Sequence, residues 1–435
     1  MKKVITYGTF DLFHYGHLSL LKRAKALGDY LIVGITTENF DINRGKLNVQ
    51  QSLMERMQQV RDSAIADEII LEEYEGQKID DILKYDIDIF AVGSDWVGIF
   101  DYLEEYCEVV YLDRTEGISS TALREQKQLI SLGVIGKGAM VEKFLEESKF
   151  VSGVYIDGIC EPERDLEKTT KMLDRVTAVY VLAEPNMRGK YVRIALEKGC
   201  HVICESPVAL RRSETESLYR YAKERGLILF EALKTAYFRA FSRLILLIKG
   251  GAIGMVKSID VTCTSMNPSN EWFYNKSDEG GSMTDWGSFV LLPILKVFGV
   301  DFKKCSFTSY LDKENQIDLF TQINLLYPNG IANAKVGFGV KSEGSLVISG
   351  TKAYVYVPSP WWKMEYFEIR YENFSQNRRY FYKVDGEGIR YEIAEFLRLI
   401  RTGEANFALE EQLSETISAL MEKYLYEKKD VEWIN

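Results

Sequence analysis

Apolar and polar residues follow a strand–helix rhythm over the first 126 residues. Short apolar runs predict buried strands at Val4–Tyr7, Tyr30–Thr36, Glu68–Leu71, Phe90–Val92 and Glu108–Leu112. Apolar residues at helical spacing predict helices at His17–Leu27, Leu53–Ile65 and Ile79–Tyr85. Buried strands that alternate with helices are typical of a parallel sheet with helices on both faces.

The same rhythm restarts after a polar, helical linker that we predict at Leu123–Gln128. Strands are predicted at Leu132–Ile135, Val154–Ile159, Ala178–Leu182 and His201–Cys204. Helices are predicted through about Glu147, over Met187–Lys198 and over Ser213–Arg225. We expect this second α/β unit to end at Leu233.

Beyond Leu233 the pattern changes to the alternation that is typical of antiparallel strands with one exposed face. Such strands are predicted at Val256–Thr264, Ile317–Leu326, Ile331–Val340, Gly344–Ser349 and Ala353–Val357. Helices are predicted at Ile389–Ile400 and Leu409–Tyr426. The pattern therefore predicts three domains: two α/β domains at 1–126 and 127–233, and an α+β domain at 234–435.

Composition narrows the function classes. A chain of 435 residues with 46% hydrophobic and 27% charged residues is typical of a multidomain globular protein. It has no apolar run of the roughly 18 residues that a membrane span needs, and its first residues lack the pattern of a signal peptide. Its net charge of −10 argues against broad nucleic-acid binding. We expect a cytoplasmic protein.

The six cysteines are scattered without a Cys-x-x-Cys pair. This spacing argues against a zinc site or a disulfide framework. Cys200 and Cys204 lie on one face of an apolar run, and we expect both in a core. His201, within the same strand, is expected to be structural.

The first candidate site is His14-Tyr15-Gly16-His17, where a strand passes into a helix. These are two of only three histidines in the chain. Ligands bind at the carboxyl ends of strands in such sheets, glycine permits close backbone approach, and helix N-termini attract anions. Two imidazoles at this point suit a phosphate that gains charge during in-line displacement. A lone His-x-Gly-His is incidental about as often as it is functional.

Two further segments favour the functional interpretation. Gly8-Thr9-Phe10-Asp11 precedes the histidines, and Arg-Thr-Glu-Gly-Ile-Ser-Ser-Thr occupies 114–121. Arg114, Thr115 and Ser119 can supply charge and anchoring oxygens ahead of another helix. Arg44 and Lys46, in a polar loop, can clamp a triphosphate.

Together these segments resemble the glycerol-3-phosphate cytidylyltransferases, members of the HxGH nucleotidyltransferase superfamily. The resemblance covers 1–126 and includes Arg-Ala-Lys-Ala-Leu-Gly-Asp-Tyr-Leu and Gly-Ser-Asp-Trp-Val-Gly. It implies a nucleotidyltransferase that converts CTP and a small polyol phosphate, glycerol 3-phosphate or a close relative, to a CDP-polyol and pyrophosphate. Such a product would serve cell-surface polymer synthesis.

The resemblance also implies roles for individual residues. His14 and His17 would bind the CTP phosphates and stabilise the transition state, helped by the charges of Lys46 and Arg114. Asp11 would position magnesium (Mg2+). The remaining nucleotide-binding residues would be Thr9, Phe10, Gly16, Asp95, Trp96, Thr115 and Ser119. Arg56 is kept, but Ala64 stands where the family has a second arginine. Arg61 is a candidate substitute, so the acceptor stays open.

The second candidate site follows the strand at Leu132–Ile135. Gly136 and Gly138 match the first two glycines of the G-x-G-x-x-G dinucleotide fingerprint, while Val141 replaces the third. Glu161 follows the next strand at a distance suited to accepting a hydrogen bond from a ribose hydroxyl.

Residues 130–435 resemble the Gfo/Idh/MocA oxidoreductases. The similar motifs are Val-Leu-Ala-Glu-Pro-Asn at 181–186, Cys-Glu-Ser-Pro at 204–207, Gly-Met-Val-Lys at 254–257 and Gly-Gly-Ser-Met-Thr-Asp-Trp-Gly at 280–287. The resemblance implies a Rossmann domain with an open antiparallel sheet domain. It also implies NAD or NADP bound by Gly136, Gly138, Glu161, Pro185 and Glu205.

This half departs from the family at two positions. Ser206 stands where the family has its catalytic lysine, and Phe289 where it often has histidine. Lys234, with Asp285 orienting the substrate, is a candidate replacement as proton donor; the alternative is a surface lysine. Trp361, Trp362, Arg390 and Tyr391 are expected either in the same cleft or in a core or interface.

We expect a fused enzyme in which the carboxyl half makes the polyol precursor for the amino half. The alternative is a catalytically silent carboxyl half that serves as a scaffold for dimerisation or partner docking. A third hypothesis, adenylylation of a cofactor precursor by the first domain, is disfavoured by the form of the segment at 114–121. Dimers are common in both families, so a homo-oligomer is expected.

Overall fold

The computed structural model describes residues 1–37, 40, 49, 51–74, 76–113, 129–161, 166–267, 271–404, 406 and 408–434. The chain divides into two compact units. The first contains residues 1–129 with 150–153, and the second contains 130–149 with 154–435.

The first unit is built on a parallel sheet of five strands in the order β3–β2–β1–β4–β5. The strands are β1 (Lys3–Gly8), β2 (Tyr30–Thr36), β3 (Glu68–Glu72), β4 (Ile89–Gly93) and β5 (Glu108–Leu112). The described helices are α1 (Tyr15–Lys25), α2 (Leu53–Asp62) and α3 (Gln77–Tyr85), with single turns at Ser94–Trp96 and Asp101–Glu105. Hydrophobic cores form on both faces because the strands carry apolar residues on both sides.

The second unit begins with another five-stranded parallel sheet, in the order β10–β9–β8–β6–β7. Its strands are β6 (Ile130–Gly136), β7 (Val154–Cys160), β8 (Ala178–Leu182), β9 (His201–Glu205) and β10 (Leu229–Ala232). Its described helices are α4 (Ala139–Ser148), α5 (Leu166–Leu173), α6 (Pro185–Glu197) and α7 (Arg212–Glu224).

The cysteines and the histidine in and beside β9 are structural. Cys200, just before the strand, and Cys204 are buried, and burial raises the pKa of the Cys200 thiol to about 11. His201 accepts a hydrogen bond at Nδ1 from the backbone N–H of Ile228, at 3.0 Å. Burial lowers the pKa of this imidazole, so the ring is neutral and packs as part of the sheet.

A nine-stranded sheet completes the second unit, in the order β18–β17–β16–β15–β11–β14–β13–β12–β19. The strands are β11 (Val256–Ser265), β12 (Lys304–Asp312), β13 (Ile317–Leu326), β14 (Ile331–Phe338), β15 (Leu346–Gly350), β16 (Ala353–Val357), β17 (Tyr366–Tyr371), β18 (Arg378–Phe381) and β19 (Val431–Ile434). The helices are α8 (Arg239–Lys249), α9 (Ser282–Phe298), α10 (Ile389–Thr402) and α11 (Glu411–Glu422), with short turns at Lys234–Tyr237, Glu271–Tyr274, Lys276–Asp278, Trp361–Lys363 and Phe374–Gln376 and a π-turn at Lys423–Glu427.

The sheet differs from the predicted antiparallel sheet in being mixed. The pairs β11–β14 and β12–β19 are parallel, whereas the other six pairs are antiparallel. The β12–β19 pair forms because the chain returns to the sheet edge after two helices. A residue pattern predicts a strand, but not the direction of its partner.

No helix in the described part of the chain combines the length and the apolarity needed to cross a bilayer.

Candidate active sites

The His14–His17 segment lies at the junction between β1 and α1. His14 is the N-cap of α1, with extended backbone angles, and its Nδ1 accepts from the backbone N–H of Gly16 at 3.0 Å. His17 Nδ1 accepts from the backbone N–H of His14 at 3.4 Å. The two rings are stacked, with centroids 3.9 Å apart. The imidazoles therefore form a reciprocal capping box, with histidine in place of the usual serine and glutamate.

This capping arrangement determines which ring nitrogen carries the proton. A neutral imidazole that accepts a hydrogen bond at Nδ1 carries its hydrogen on Nε2. Both rings thus present an Nε2–H donor at a helix N-terminus, where backbone dipoles already favour negative charge. The pair is suited to binding phosphate oxygens.

A cavity of about 340 Å³ opens at this end of the sheet. Among its lining residues are the predicted site residues Thr9, Phe10, Asp11, His17, Asp95 and Trp96. Asp95 and Trp96 reach it from the turn after β4. The carboxyl ends of two adjacent parallel strands therefore bring these sequence-distant residues together.

The loop between β1 and α1 is held in a strained conformation. Phe10 and Leu12 have positive φ angles of 52° and 48°, which are uncommon for large side chains. The buried Arg56 donates to the carbonyls of Thr9 and Thr36, both at 2.8 Å, and to the carbonyl of Gln51 at 3.1 Å. Backbone strain of this kind persists only where the surroundings enforce it, and it clusters at functional sites.

Gln51 is a site residue that sequence reasoning missed. Its side chain accepts from the backbone N–H of Leu12 at 2.6 Å, and its own N–H donates to Asp11 Oδ1 at 3.0 Å. Gln51 directly precedes Ser52, the N-cap of α2. The capping pattern of Ser52 and Glu55 is the sequence signal that marks this helix start and the residue before it. Arg56 is completely buried and holds the loop, whereas Arg61 is exposed on the same helix.

Several predicted residues of this site cannot be placed. Arg44, Lys46, Arg114, Thr115 and Ser119 lie outside the described residues. Within the described part, no three side chains form a group that would hold a metal ion. Asp11 is buried at the cavity and offers hard carboxylate oxygen, which fits Mg2+ provided that nucleotide phosphates supply further ligands.

The second unit contains a cavity of about 370 Å³ where its parallel sheet meets the mixed sheet. The predicted residues that line it are Gly138, Glu205, Lys234, Asp285 and Trp362. Ser206 and Phe289, the two departures from the family pattern, line it as well. Trp286, from the motif at 280–287, and Lys363, which follows Trp362, line it too, whereas sequence reasoning missed Trp272, Glu387 and Glu392. Trp272 and Glu387 lie in short turns and Glu392 lies in α10, and no local sequence pattern marks these three residues.

The glycine turn after β6 fits a dinucleotide. Gly136 has a φ of +151°, and a Cβ there would lie 2.7 Å from Leu182 Cβ, so strand packing demands glycine. Gly138 has a φ of +83°, and a Cβ would meet nothing within 4 Å. Its backbone is open to a ligand at the N-terminus of α4.

The other predicted cofactor residues lie around this turn. Glu161, Gly136 and Glu184 line a small adjoining pocket, and Lys137 Nζ lies 3.5 Å from Glu184 Oε1. Pro185 is buried at the first position of α6. Rossmann domains bind ribose through a carboxylate such as that of Glu161 and pyrophosphate through an open glycine turn such as that at Gly138.

The Ser206 side chain is not placed to take over the role of the catalytic lysine that the family has at this position. Its hydroxyl donates to Glu231 Oε1 at 2.5 Å, and both residues are buried. Arg188 donates to the carbonyl of Ser206 at 2.8 Å and so ties β9 to α6. Position 206 is therefore part of the framework of the cavity.

Lys234 and Glu205 lie in the same polar cluster. The Lys234 side chain is 17% exposed, and its Nζ lies 3.8 Å from Glu387 Oε2. Burial lowers the pKa of this ammonium, opposed by Glu392 and Glu387. Burial raises the pKa of Glu205, although its carboxylate accepts a hydrogen bond from Tyr180.

Three of the four residues expected either in this cleft or in a core, namely Trp361, Arg390 and Tyr391, do not line the cavity. Trp361 is completely buried, and its indole N–H donates to the carbonyl of Thr262 at 3.0 Å. Arg390 forms a buried ion pair with Glu147, with atoms 2.8 Å apart. Trp362 alone among the four lines the cavity. Neighbouring residues on a short turn face different ways, which a sequence motif does not reveal.

Comparison with known proteins identifies both halves. The family model for cytidylyltransferase-like domains matches residues 5–126. Glycerol-3-phosphate cytidylyltransferase from Bacillus spizizenii is 54% identical over 125 residues, which cover 29% of this chain and 96% of that enzyme. The chain belongs to the cytidylyltransferase-like family.

Two further segments of the chain match family models of the Gfo/Idh/MocA type. Residues 130–233 match the oxidoreductase family model with an NAD-binding Rossmann fold, and residues 241–356 match the GFO/IDH/MocA C-terminal domain model. The dTDP-3,4-didehydro-2,6-dideoxy-alpha-D-glucose 3-reductase of Streptomyces antibioticus is 27% identical over 173 residues, covering 39% of this chain and 52% of that enzyme. Both predicted resemblances are thus confirmed.

A solved structure shares the fold of the second unit. KijD10, a 3-ketoreductase from Actinomadura kijaniata solved with NADP and TDP-benzene, superposes with a TM-score of 0.61 at 18% identity. The match covers 70% of this chain and 98% of KijD10. At this identity the likeness shows the fold. The chain is therefore a cytidylyltransferase domain fused to an oxidoreductase region.

Proposed function

We propose that the cytidylyltransferase domain transfers a cytidylyl group from CTP to a polyol phosphate, glycerol 3-phosphate or a close relative. The products are a CDP-polyol and pyrophosphate. The observation that carries this proposal is the stacked His14–His17 pair capping α1, in a domain that is 54% identical to a glycerol-3-phosphate cytidylyltransferase.

In this reaction a phosphate oxygen of the acceptor attacks the α-phosphorus of CTP, and the bond to the bridging oxygen of the pyrophosphate breaks. The acceptor phosphate is already ionised, so no general base is needed. The Nε2–H groups of His14 and His17 bind the phosphate oxygens on which charge accumulates. Asp11 would hold Mg2+, which neutralises phosphate charge. Lys46, Arg114, Thr115 and Ser119 complete the site in the sequence-based assignment.

The test measures pyrophosphate release with CTP or ATP, each paired with glycerol 3-phosphate or another polyol phosphate. We expect turnover with CTP and glycerol 3-phosphate or a close relative. Turnover with ATP in preference to CTP would overturn the cytidylyl assignment. Turnover with CTP and a different acceptor would retain the reaction class and change the substrate.

We further propose that the oxidoreductase region reduces an aldehyde or ketone precursor of the polyol. The supporting observations are the open Gly138 turn, the Glu161 carboxylate beside it, and Lys234 in the adjoining cavity. NAD(P)H, when bound, supplies the hydride. Lys234 protonates the carbonyl oxygen, and Asp285 orients the substrate.

A silent scaffold is the alternative for this region, favoured by Ser206 and Phe289 at the two departing positions. A titration with NADH and NADPH distinguishes the two. Trp272, Trp286 and Trp362 line the cavity, so energy transfer from tryptophan to a bound reduced nicotinamide is the natural signal. Saturable binding at micromolar cofactor supports the oxidoreductase, and absence of binding at millimolar cofactor supports the scaffold.

A further inference from the structure

Three ionisable side chains from three different elements meet in the cavity of the oxidoreductase region. Glu205 ends β9, Lys234 begins the short turn after β10, and Glu392 lies in the first turn of α10. Glu392 is only 2% exposed, although glutamate is rarely buried without a partner. These residues are hereafter called the Glu–Lys–Glu cluster.

The charges around the cluster act on Glu205 and Lys234. Glu387 Oε2 lies 2.8 Å from Lys363 Nζ and 3.8 Å from Lys234 Nζ, so the two lysines share this carboxylate at the edge of the cluster. The other charged residues in the cavity lining are Lys137, Lys143, Glu184, Arg188 and Asp285. Arg188 donates to the carbonyls of Ala183 and Ser206, and its positive charge opposes the rise in the pKa of Glu205, which favours the ionised form of that carboxyl group. Lys137 pairs with Glu184.

Within the cluster itself, one cation faces two carboxyl groups. Two carboxylates in a desolvated site cannot both ionise without a large cost, so the pair retains one proton. Burial and then the charge of Glu205 raise the pKa of Glu392 well above its ordinary range. Glu205 is the better placed to ionise, because Tyr180 donates a hydrogen bond to it. The retained proton therefore resides on Glu392.

We propose that the Glu–Lys–Glu cluster is a proton relay, in which the proton held by Glu392 reloads Lys234. The proposal rests on the proposed reduction. A proton leaves Lys234 Nζ for the carbonyl oxygen as hydride reaches the carbonyl carbon, giving the alcohol. The O–H bond of Glu392 then breaks, and its proton passes to Nζ directly or through a water molecule. Solvent afterwards reprotonates Glu392. Glu392 is thus a positioning residue that acts through Lys234.

The relay is tested on the full chain without any substrate. The carbonyl stretch of a protonated carboxyl group is recorded by infrared spectroscopy across a pH series, in wild type, Glu392→Gln and Glu387→Gln. Glutamine matches the protonated glutamate in shape, so Glu392→Gln should fold. We expect one carbonyl band at neutral pH that is present in wild type and in Glu387→Gln and is lost in Glu392→Gln. If the spectrum of Glu392→Gln kept every carbonyl band of the wild-type spectrum, the proposal would be overturned.

A second variant tests the coupling within the cluster. In Glu205→Gln the repelling charge is gone, so the Glu392 band should disappear at a lower pH than in wild type. An unchanged titration would show that the carboxyl groups do not share a proton, and the relay would be wrong. Nicotinamide titration of the same proteins is the separate readout for the oxidoreductase proposal, which can fail while the band behaves as expected.

Discussion

The two sites differ in how they are built along the chain. The proposed cytidylyltransferase site is concentrated mainly at one junction, where β1, a strained loop and the first turn of α1 bring Thr9, Asp11, His14 and His17 together. The oxidoreductase cavity draws Gly138, Glu205, Lys234, Asp285 and Glu392 from five separate elements. A compact site leaves a contiguous motif in the sequence, whereas a convergent site leaves isolated residues.

The largest expected effect tests the compact site. His14→Ala should lower CDP-product formation about a thousandfold, because it removes a donor to the transition state. It also removes the N-cap of α1, at a cost of about 1 kcal/mol. Pyrophosphate release and thermal unfolding measure the two effects separately.

His14→Asn is the matched control. Its side-chain oxygen can keep the cap but offers no equivalent of Nε2–H, so activity should fall as far as in His14→Ala while stability stays near wild type. Near-normal turnover in either variant would contradict the role of His14.

The next effect tests the convergent site. Lys234→Met keeps the apolar stem and removes the proton donor, so reduction should fall about a hundredfold or more while nicotinamide binding is retained. The measurement is cofactor oxidation with a panel of aldoses, ketoses and their phosphates. Lys249→Met, at the exposed end of α8, is the control and should behave as wild type. If Lys234→Met and Lys249→Met oxidised the cofactor at equal rates, Lys234 would not be the proton donor.

A smaller effect tests how the strained loop is held. Arg56→Met leaves three carbonyls without their donor and should cost about 2 kcal/mol of stability in the first unit. Calorimetry of the full chain should show one lowered transition, accompanied by weaker cytidylyl transfer. Gln58→Met, on the exposed face of the same helix, should leave both nearly unchanged. A variant at position 56 with normal stability would show that the loop is held by other contacts.

The smallest effect concerns the remaining histidine. Because burial lowers the pKa of His201, the unfolded chain binds a proton more readily than the folded chain below the ordinary pKa of about 6.5. This contribution to stability is present above that pH and is lost as pH falls through it. His201→Gln should flatten this dependence, with a change of about 1 kcal/mol or less. Cytidylyl transfer should be unaffected, since His201 lies in the second unit.

Sequence patterns predicted most of the parallel strands, several to the residue, such as Tyr30–Thr36 and Ala178–Leu182. These strands are apolar on both faces, which makes their signal strong. The helix at Ser282–Phe298 escaped notice because burial makes it apolar on most sides, which removes the helical period. The strands at Tyr366–Tyr371 and Val431–Ile434 lie at or near a sheet edge and are too short to give a clear alternating pattern.

The chemistry of the two sites divides in the same way. The residues at 7–17 determine a strand, a helix N-terminus and two imidazoles within hydrogen-bond reach of the backbone, because all these interactions are local. Three features of the molecule depend on long-range packing instead. The first is the hydrogen bond from Arg56 to the carbonyl of Thr9, and the second is the hydrogen bond from Ser206 to Glu231. The third is the placement of Glu205, Lys234 and Glu392 in one cavity. Burial and the proximity of like charges arise only once distant elements pack, and these properties set the protonation of a site.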